Sequence, residues 1–279
     1  MRTVGEVVRL STGHLLEHGV PTPRLDAELL IGHALGLSRV DLYVHHDRPL
    51  GAAELAACRE LLRRRAAREP IAYILGEWGF RGLRLEVDRR VLVPRPETEL
   101  LAGRCLELLA GRESPRVLDV GTGSGAIAVS LAAELPGSRV TACDLSPAAL
   151  ELAGHNARRH GVELELVVSD LLAAFGDRRF DLIVSNPPYV AEAELARLQP
   201  EVAEFEPALA TVAGPDGDEL LLRLAATAGA QLEPGGWMVM ECGIGQPPAV
   251  AEALAAANFE QVRTWPDLAR IERFVEGRR

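Results

Sequence analysis

Apolar residues recur at helical spacing through the first quarter of the chain. The first set comprises Val4, Val7, Val8, Leu15 and Leu16. Intervals of three and four residues place such side chains on one face of a helix. Pro21 and Pro23 separate this helix from a second at 26–37, and a third is predicted at 52–68. The pattern predicts a helical N-terminal domain, to which we assign residues 1–72.

The pattern changes to that of a β-hairpin at residues 73–95. Glycines interrupt an aromatic stretch here, and apolar residues then alternate with charged ones. Such alternation is typical of a half-buried strand. The alternating apolar residues are Leu83, Leu85 and Val87. We interpret 73–95 as a β-hairpin linker to a second domain at 96–279, which begins with a helix led by Pro96.

From residue 115 onwards, short apolar runs alternate with helical segments. Strands are predicted at 116–120, 139–143, 164–168, 180–185, 237–241, 261–265 and 272–276. Helices are predicted at 126–135, 147–160, 220–232 and 248–257. Buried strands that alternate with helices form a mostly parallel sheet covered on both faces. The last two strands have no helix between them, so they are expected to pair antiparallel in this α/β domain.

A glycine-rich turn joins the first of these strands to its helix. It consists of Gly121, Thr122, Gly123, Ser124 and Gly125. Glycines allow the backbone to turn tightly and a ligand to approach the main chain closely. Asp144 ends the next strand, where a carboxylate can accept hydrogen bonds from both hydroxyls of a ribose. Together these residues predict a nucleoside-containing cofactor.

Other acidic residues bear on which nucleoside binds. The loop also satisfies the dinucleotide pattern, so a NAD-dependent oxidoreductase is an alternative. Asp119 precedes the glycines, and a carboxylate there attracts the sulfonium and ammonium groups of S-adenosyl-L-methionine but repels a pyrophosphate. Asp170 is a candidate acceptor for the adenine amino group, with Leu171 against the ring. The alternative role of Asp170 is that of a helix N-cap.

Asn186-Pro187-Pro188-Tyr189 follows the fourth predicted strand, at the sheet edge where ligands bind. The prolines stiffen the turn and remove backbone donors. A target –NH2 group can therefore donate one hydrogen to the Asn186 side chain and the other to the Pro187 carbonyl, while Tyr189 packs on its flat face. Amide-like nitrogens are poor nucleophiles, and two acceptors orient them and stabilise the developing charge. A rigid turn without chemistry is the alternative interpretation.

Composition narrows the classes of protein. No apolar run reaches the roughly 18 residues needed to span a membrane, and no secretory signal follows Arg2. The four cysteines form no CxxC pair, so neither a zinc site nor a disulfide framework is expected, and a reducing cytoplasm fits. All thirty basic residues are arginine, which excludes a P-loop or Schiff-base lysine.

Charge is unevenly distributed along the chain. The net charge of −10 divides into +2 for residues 1–90 and −12 for the remainder. An acidic larger part disfavours an enzyme that acts on duplex DNA. A run of three arginines, Arg63 to Arg65, stands near the C-terminal end of a predicted helix. Positive charges there interact favourably with the helix dipole and are expected to face solvent. Contact with an RNA-like or acidic partner is the alternative.

These motifs resemble those of the bacterial peptide chain release factor N5-glutamine methyltransferase family. The resemblance covers nearly the whole chain. It rests on the helical N-terminal domain and on residues 68–76 with Phe80, 93–99, 119–125, 186–189 and 205–207. Asn-Pro-Pro-Tyr alone is shared with adenine-N6 DNA methyltransferases. Its combination with the segment Pro94-Arg95-Pro96-Glu97-Thr98-Glu99 is far more specific.

The resemblance implies a fold, a reaction and a substrate. A Rossmann-like seven-stranded class I methyltransferase domain would follow a substrate-binding helical cap. It would methylate the side-chain amide nitrogen of the glutamine in the Gly-Gly-Gln motif of class 1 release factors, converting S-adenosyl-L-methionine to S-adenosyl-L-homocysteine. Residues 121–125, Asp144 and Asn186 would bind the cofactor, and 186–189 the glutamine amide. Leu171 stands where relatives often have an aromatic residue. No metal, stable nucleic-acid partner or membrane association is expected.

Three alternatives remain open from the residues alone. An adenine-N6 DNA or RNA methyltransferase would use the same motif, because adenine and glutamine present the same –NH2 group. It would need a target-recognition domain, for which the mildly basic N-terminal helices are a weak candidate. An oxidoreductase is disfavoured by Asp119. A binding protein that has lost catalysis is disfavoured by the intact Asn186 and cofactor loop.

Overall fold

The computed structural model describes residues 2–279, which divide into two compact units. The first unit comprises the chain up to Glu77 together with Gln199–Phe205. The second comprises Trp78–Leu198 and Glu206–Arg279. The functional roles that we assign to 1–72, 73–95 and 96–279 stay predictions.

The first unit is helical. Its helices are α1 (Val4–Glu17), α2 (Pro23–Leu35), α3 (Arg39–Val44), α4 (Ala52–Ala66) and α5 (Ile71–Leu75), and a π-helical turn covers Glu201–Phe205. Thr3 caps α1 through a reciprocal pair of hydrogen bonds with Glu6, which satisfies backbone donors at the helix start. Val4, Val7 and Leu15 are buried, as their spacing predicts. The short helix α5 crosses the predicted boundary after residue 72, so its last three residues lie in the segment that the sequence predicts as hairpin linker.

The arginines at the end of α4 form ion pairs within this unit. Arg65 is only 4% exposed, and it donates to Asp26 at 2.7 Å and to Glu201 at 2.8 Å. Arg64 forms a paired hydrogen bond with Glu69 at 2.8 Å. Only Arg63 has the solvent-facing position expected from the sequence, where it bonds Glu60. The expectation of a solvated arginine cluster is thus wrong for Arg65, because buried carboxylates require a partner.

The second unit begins with the hairpin β1 (Glu77–Phe80) and β2 (Leu83–Glu86), followed by α6 (Pro96–Leu109). Its sheet strands are β3 (Arg116–Val120), β4 (Arg139–Asp144), β5 (Glu165–Val168), β6 (Phe180–Ser185), β9 (Leu232–Glu241), β10 (Glu260–Pro266) and β11 (Glu272–Arg278). They lie in the order β10-β11-β9-β6-β3-β4-β5. Only β11 runs antiparallel to its neighbours β10 and β9. The predicted seven-stranded α/β fold is confirmed.

Helices cover both faces of this sheet. They are α7 (Ala126–Glu134), α8 (Pro147–Arg159), α9 (Glu219–Thr227) and α10 (Pro247–Ala256), together with α6. Alternation along β3 explains the two layers, because successive side chains of a strand point to opposite faces. Leu118 and Val120 pack with α9 and α10, whereas Val117 packs with α6 and α7.

The predicted boundaries of α2 and α4 differ by two or three residues, and a larger error lies between α9 and β9. The sequence predicts a helix to residue 232 and a strand from 237, but α9 ends at Thr227 and β9 begins at Leu232. Leu221, Leu224, Ala228 and Leu232 are all buried and keep helical spacing, which is why the pattern carries the helix too far. The intervening residues Ala228–Gln231 form a 3₁₀ turn.

The segment between β6 and α9 has short elements that the sequence does not predict. These are the strands β7 (Val190–Ala191) and β8 (Val212–Gly214), which pair with each other, and 3₁₀ turns at Glu192–Arg197 and Ala208–Ala210. Within residues 2–279, no helix combines the length and apolar character needed to cross a bilayer.

Candidate active site

A pocket opens at the carboxyl ends of the central parallel strands. The loops after β3, β4, β5 and β6 each contribute to its wall, which is the position that a parallel sheet favours for ligands. It brings together ten predicted site residues: Gly121, Thr122, Gly123, Ser124, Asp144, Asp170, Leu171, Asn186, Pro187 and Pro188. The two other predicted residues, Gly125 and Tyr189, lie outside the pocket wall.

The glycine loop offers open backbone to the pocket. Gly121 and Gly123 have φ angles of +74° and +55°, and a Cβ added to either would meet no atom within 4 Å. Gly125 differs, since a Cβ there would lie 3.1 Å from Ala153 and 3.2 Å from a methyl group of Val129. It is the N-cap of α7, with φ +81°. The first two glycines therefore leave space for a ligand, whereas the third allows close packing of the loop.

Asp144 is held with its carboxylate at the pocket. One oxygen accepts a hydrogen bond from the Gly123 amide at 2.9 Å, and the other accepts one from the Ser146 amide at 2.9 Å. Each carboxylate oxygen can accept more than one hydrogen bond. The geometry fits the predicted contact with two ribose hydroxyls, and the open glycines beside it fit a nucleoside cofactor.

Asp119 lies behind the loop rather than in the pocket wall. It is fully buried, and one oxygen accepts hydrogen bonds from the Thr122 hydroxyl at 2.7 Å and the Ala128 amide at 3.1 Å. Burial raises the pKa of Asp119 to about 7, and the nearby charge of Asp144 adds to the effect. This oxygen ties the loop to the start of α7, while the other oxygen has no hydrogen-bond partner within residues 2–279, so the electrostatic role expected from the sequence stays a prediction.

Asp170 and Leu171 lie at the end of β5, in the pocket wall. Asp170 forms an ion pair with Arg223 at 3.0 Å, with both side chains about half exposed. Leu171 has a φ of +48°, an uncommon value for a residue with a branched side chain, and it packs against the core. Their contact with adenine stays a prediction, and for Asp170 any such contact competes with Arg223.

Asn186 is held by a chain of buried hydrogen bonds. Its Nδ2 donates to the Thr98 hydroxyl at 3.0 Å, and that hydroxyl donates to Oε2 of Glu241 at 2.8 Å. The Asn186 Oδ1 is buried and has no hydrogen-bond partner within residues 2–279. A buried acceptor without a donor is costly in a folded protein and often marks a ligand contact. The structure thus presents Asn186 as an acceptor that lacks its donor.

Tyr189 belongs to the polar cluster behind Asn186. Its hydroxyl accepts a hydrogen bond from Arg273 at 3.1 Å and lies 3.4 Å from Glu241, and the Arg273 guanidinium lies 5.4 Å from its ring centre. Burial, with the neighbouring Glu241 carboxylate, raises the pKa of Tyr189 to about 12. Gln246 donates to the Tyr189 carbonyl at 3.0 Å. The packing of Tyr189 on a substrate amide stays a prediction.

Sequence reasoning did not single out Glu241 or Arg273. The signal for Glu241 was present, because an acid that ends an apolar strand segment needs a specific partner when it is buried. Another acid, Glu206, braces the pocket wall by accepting from the Val93 amide at 3.2 Å and from Arg95 at 2.6 Å. These contacts tie the segment after the hairpin to the one before α9. Within residues 2–279, no group of three or more potential metal ligands is present.

Comparisons with known proteins agree with this geometry. Residues 6–76 match the family model described as PrmC N-terminal domain, and residues 98–203 match that of the methyltransferase small domain. A release factor glutamine methyltransferase of Geobacter sulfurreducens is 46% identical over 99% of this chain and 96% of its own. One of Deinococcus radiodurans is 44% identical over 98% of each chain.

Solved structures show the same fold. A methyltransferase from Pyrococcus furiosus aligns with a TM-score of 0.53 at 18% identity, over 80% of this chain and 98% of its own. A 16S rRNA methyltransferase of T. thermophilus in complex with AdoMet and guanosine aligns with a TM-score of 0.52 at 21% identity, over 73% and 50%.

The seven-stranded fold with this site defines a methyltransferase of the Rossmann-like class. Relatives from several organisms extend the match over nearly the whole chain, including the helical first unit. The chain belongs to the family of release factor glutamine methyltransferases.

Proposed function

We propose that this chain transfers a methyl group from S-adenosyl-L-methionine to the side-chain amide nitrogen of a glutamine, that of the Gly-Gly-Gln motif in class 1 peptide chain release factors. Family membership supports the substrate. The observation that carries the chemistry is the buried Oδ1 of Asn186, which lacks a donor at the end of the pocket. A glutamine –NH2 group supplies such a donor.

The protein binds and orients the amide rather than acting as a strong base. Asn186 Oδ1 accepts one hydrogen of the target nitrogen, and the Pro187 carbonyl accepts the other. Two fixed acceptors hold the nitrogen in one orientation and stabilise the positive charge that develops on it. S-adenosylmethionine, when bound, supplies a methyl group on a cationic sulfur that leaves as a neutral thioether. Proton loss from the product then requires only water.

The cofactor contacts are assigned residue by residue. Gly121 and Gly123 present open backbone, and the fixed carboxylate of Asp144 accepts from the ribose hydroxyls. Asp170 accepts from the adenine amino group, with Leu171 beside the ring. The remaining residues of this assignment are Thr122, Ser124, Gly125 and Asn186. Gly125 acts through the shape of the loop, because its Cα faces Ala153 and Val129.

A release factor is the partner, and we place the reaction in the cytoplasm without a stable nucleic-acid complex. The arginines that could form a basic surface at the end of α4 support this assignment, since Arg64 and Arg65 bind carboxylates of their own unit. An adenine methyltransferase would require phosphate contacts from such side chains.

Methyl transfer measured by mass spectrometry tests the proposal. Purified release factor and a DNA duplex are incubated separately with the protein and labelled cofactor. The Gly-Gly-Gln peptide should gain one methyl group on the glutamine side chain, and the duplex should gain none. Label found only in DNA would contradict the assignment of substrate.

Asn186→Ala tests the role of the motif. We expect turnover to fall by about 10²- to 10³-fold, the usual effect of removing one such polar contact to the reacting group. Cofactor affinity, measured by calorimetry, should fall much less than turnover, because Asn186 is only one of several assigned cofactor contacts. Asn258→Ala makes the same chemical change at an exposed residue beyond α10 and serves as control. Equal turnover in the Asn186 and Asn258 variants would rule out the proposed contact.

A further inference from the structure

A buried polar chain lies directly behind the Asn186 side chain. Thr98 is 4% exposed and Glu241 is fully buried, and neither is assigned a role by the proposed reaction. Thr98 stands in the first turn of α6, and Glu241 ends β9, so the two are brought together only by the packing of the helix against the sheet. Buried polar side chains of this kind impose direction on their neighbours because each atom must find a matching partner.

The direction of the hydrogen bonds follows from chemistry. An ionised carboxylate can only accept, so the Thr98 hydroxyl must use its single hydrogen for Glu241, at 2.8 Å. The Thr98 oxygen is then left with lone pairs alone on the side of Asn186. Only the Nδ2 of Asn186 can donate to it, at 3.0 Å. The amide is therefore fixed with Nδ2 towards Thr98 and Oδ1 away from it.

We infer that Thr98 and Glu241 are positioning residues that set the orientation of the Asn186 amide. The inference rests on the proposed function, which requires the Asn186 oxygen to accept from the target nitrogen. The two ends of an asparagine amide have nearly the same shape but opposite polarity. In the flipped orientation Nδ2 would meet the hydrogens of the target –NH2 group, and the substrate would be repelled rather than held.

A cation lies at the end of the hydrogen-bonded series, next to Glu241. Arg273 lies 3.9 Å from Oε1 of Glu241 and donates to the Tyr189 hydroxyl at 3.1 Å. Burial raises the pKa of Glu241, whereas the hydrogen bond from Thr98 and the positive charge of Arg273 favour the ionised form, which is the form that can only accept. The strand pairing of Phe274 with Glu241 places Arg273 beside the carboxylate. Through Arg273 the cluster thus keeps the direction of the hydrogen bonds fixed. Asn186 donates to Thr98, and Thr98 donates to Glu241.

Thr98→Val removes the hydroxyl while preserving the side-chain shape, and Thr98→Ser restores it. For Thr98→Val we expect kcat for methyl transfer to a Gly-Gly-Gln peptide to fall about 10- to 100-fold, the effect of one or two lost hydrogen bonds. The KM for the cofactor should stay within about twofold, since the hydrogen bonds of the Thr98 hydroxyl go to Asn186 and Glu241 rather than to the cofactor residues of the glycine loop. Thr98→Ser should recover most of the rate.

Thr141→Val is the matched control. Thr141 is equally buried, and its hydroxyl donates to Glu165 at 2.9 Å, but it lies at the start of the pairing between β4 and β5, outside the pocket wall. Loss of this threonine–glutamate bond, in which Thr141 is buried and Glu165 is exposed, should leave kcat near that of the wild-type protein. Melting temperatures of both valine variants give the structural cost of the change, so a general loss of stability is measured separately.

A double-mutant cycle decides whether Thr98 acts through Asn186. The Thr98→Val effect on kcat should disappear in the Asn186→Ala background, because no amide remains to be oriented. Should Thr98→Val fold poorly, Glu241→Gln provides a second variant of unchanged shape. Its amide can donate to Thr98 as well as accept, so both orientations of Asn186 become available and kcat should fall about tenfold.

Three outcomes would overturn the inference. They are an unchanged kcat in both Thr98→Val and Glu241→Gln, an undiminished Thr98→Val effect in the Asn186→Ala background, and a large rise in the cofactor KM that shows direct binding by Thr98. Failure of the proposed function has a different signature, because the wild-type protein itself would then leave the Gly-Gly-Gln peptide unmethylated.

Discussion

Two glycines of the cofactor loop, Gly123 and Gly125, should respond differently to the same substitution. Gly123→Ala and Gly125→Ala each place a methyl group on a residue with positive φ, at +55° and +81°. In Gly123 the new Cβ would enter open space in the pocket, whereas in Gly125 it would press on Ala153 and Val129. One variant should therefore lose ligand affinity and the other folding stability.

The magnitudes follow from two separate costs. A left-handed backbone costs an L-residue about 1–2 kcal/mol, and both variants carry this cost. Contacts of 3.1 Å and 3.2 Å are tighter than a methyl group accepts without displacement of its neighbours. Overpacking of a rigid interior adds about 1–3 kcal/mol for Gly125→Ala alone. We expect losses in unfolding free energy of about 1–2 kcal/mol for Gly123→Ala and about 2–5 kcal/mol for Gly125→Ala.

Urea unfolding without cofactor measures the unfolding free energy, and calorimetric titration with S-adenosylmethionine measures the cofactor affinity. The melting temperature of Gly125→Ala should be about 2–12 °C lower than that of Gly123→Ala, given the usual shift per kcal/mol in a domain of this size. Gly123→Ala should bind the cofactor about tenfold or more weakly, since its methyl group occupies ligand space. Equal stability of the two variants, or unchanged affinity of Gly123→Ala, would refute the reasoning.

Three further substitutions test buried polar groups. Glu201→Ala should lower the unfolding free energy by about 3 kcal/mol, because it removes a carboxylate from buried Arg65; a loss below about 1 kcal/mol in urea unfolding would contradict this. Burial raises the pKa of Asp119 to about 7, above its value in the unfolded chain, so its ionisation costs stability as pH rises from about 4 to about 7. Asp119→Asn should therefore lose less unfolding free energy than the wild-type protein between pH 5 and pH 8. Equal losses in the two proteins would show that the pKa of Asp119 is not raised. Asn156 is fully buried and bonds both backbone groups of Glu86 and the Ser124 carbonyl, so Asn156→Ala should cost about 3 kcal/mol and weaken cofactor binding. Thermal melts with and without cofactor check both effects. An unchanged melting temperature and affinity would disprove the structural role of Asn156.

Much of the fold follows from local patterns. The strands of the parallel core are short apolar runs bounded by turns, and their length together with the flanking turn residues locates them. The closing pair β10 and β11 is predictable because no helix lies between two strand-like segments. Periodicity fails at Leu232, where burial happens to continue at helical spacing beyond the end of α9.

The segment from Tyr189 to Asp218 could not be predicted in the same way. Its conformation depends on contacts with distant residues rather than on its own spacing. Glu206 bonds Val93 and Arg95, and Gln246 bonds the carbonyls of Tyr189 and Gly217. Such contacts join positions up to 113 residues apart, and no local pattern carries them.

The candidate site shows the same division. Gly121, Gly123, Asp144 and Asn186 each stand directly after a predicted strand, so their convergence follows from parallel topology. The role of Asp119 did not follow, because an acid beside a glycine loop can face either the ligand or the backbone behind it. The structure shows one oxygen bonded to Thr122 and Ala128, which the sequence did not indicate, and a second oxygen without a partner within residues 2–279.

The hydrogen-bonded side chains Thr98 and Glu241 behind Asn186 also explain why an asparagine suits this position better than an aspartate. Aspartate would offer two acceptors to the target nitrogen, which taken alone looks favourable. It could not donate to Thr98, however, so the single hydroxyl hydrogen of Thr98 would be claimed by two carboxylates, that of Glu241 and the new one. One buried negative charge would lose its donor, and the two charges would repel each other across one side chain. An asparagine meets both demands, because it gives a donor to the protein and an acceptor to the substrate.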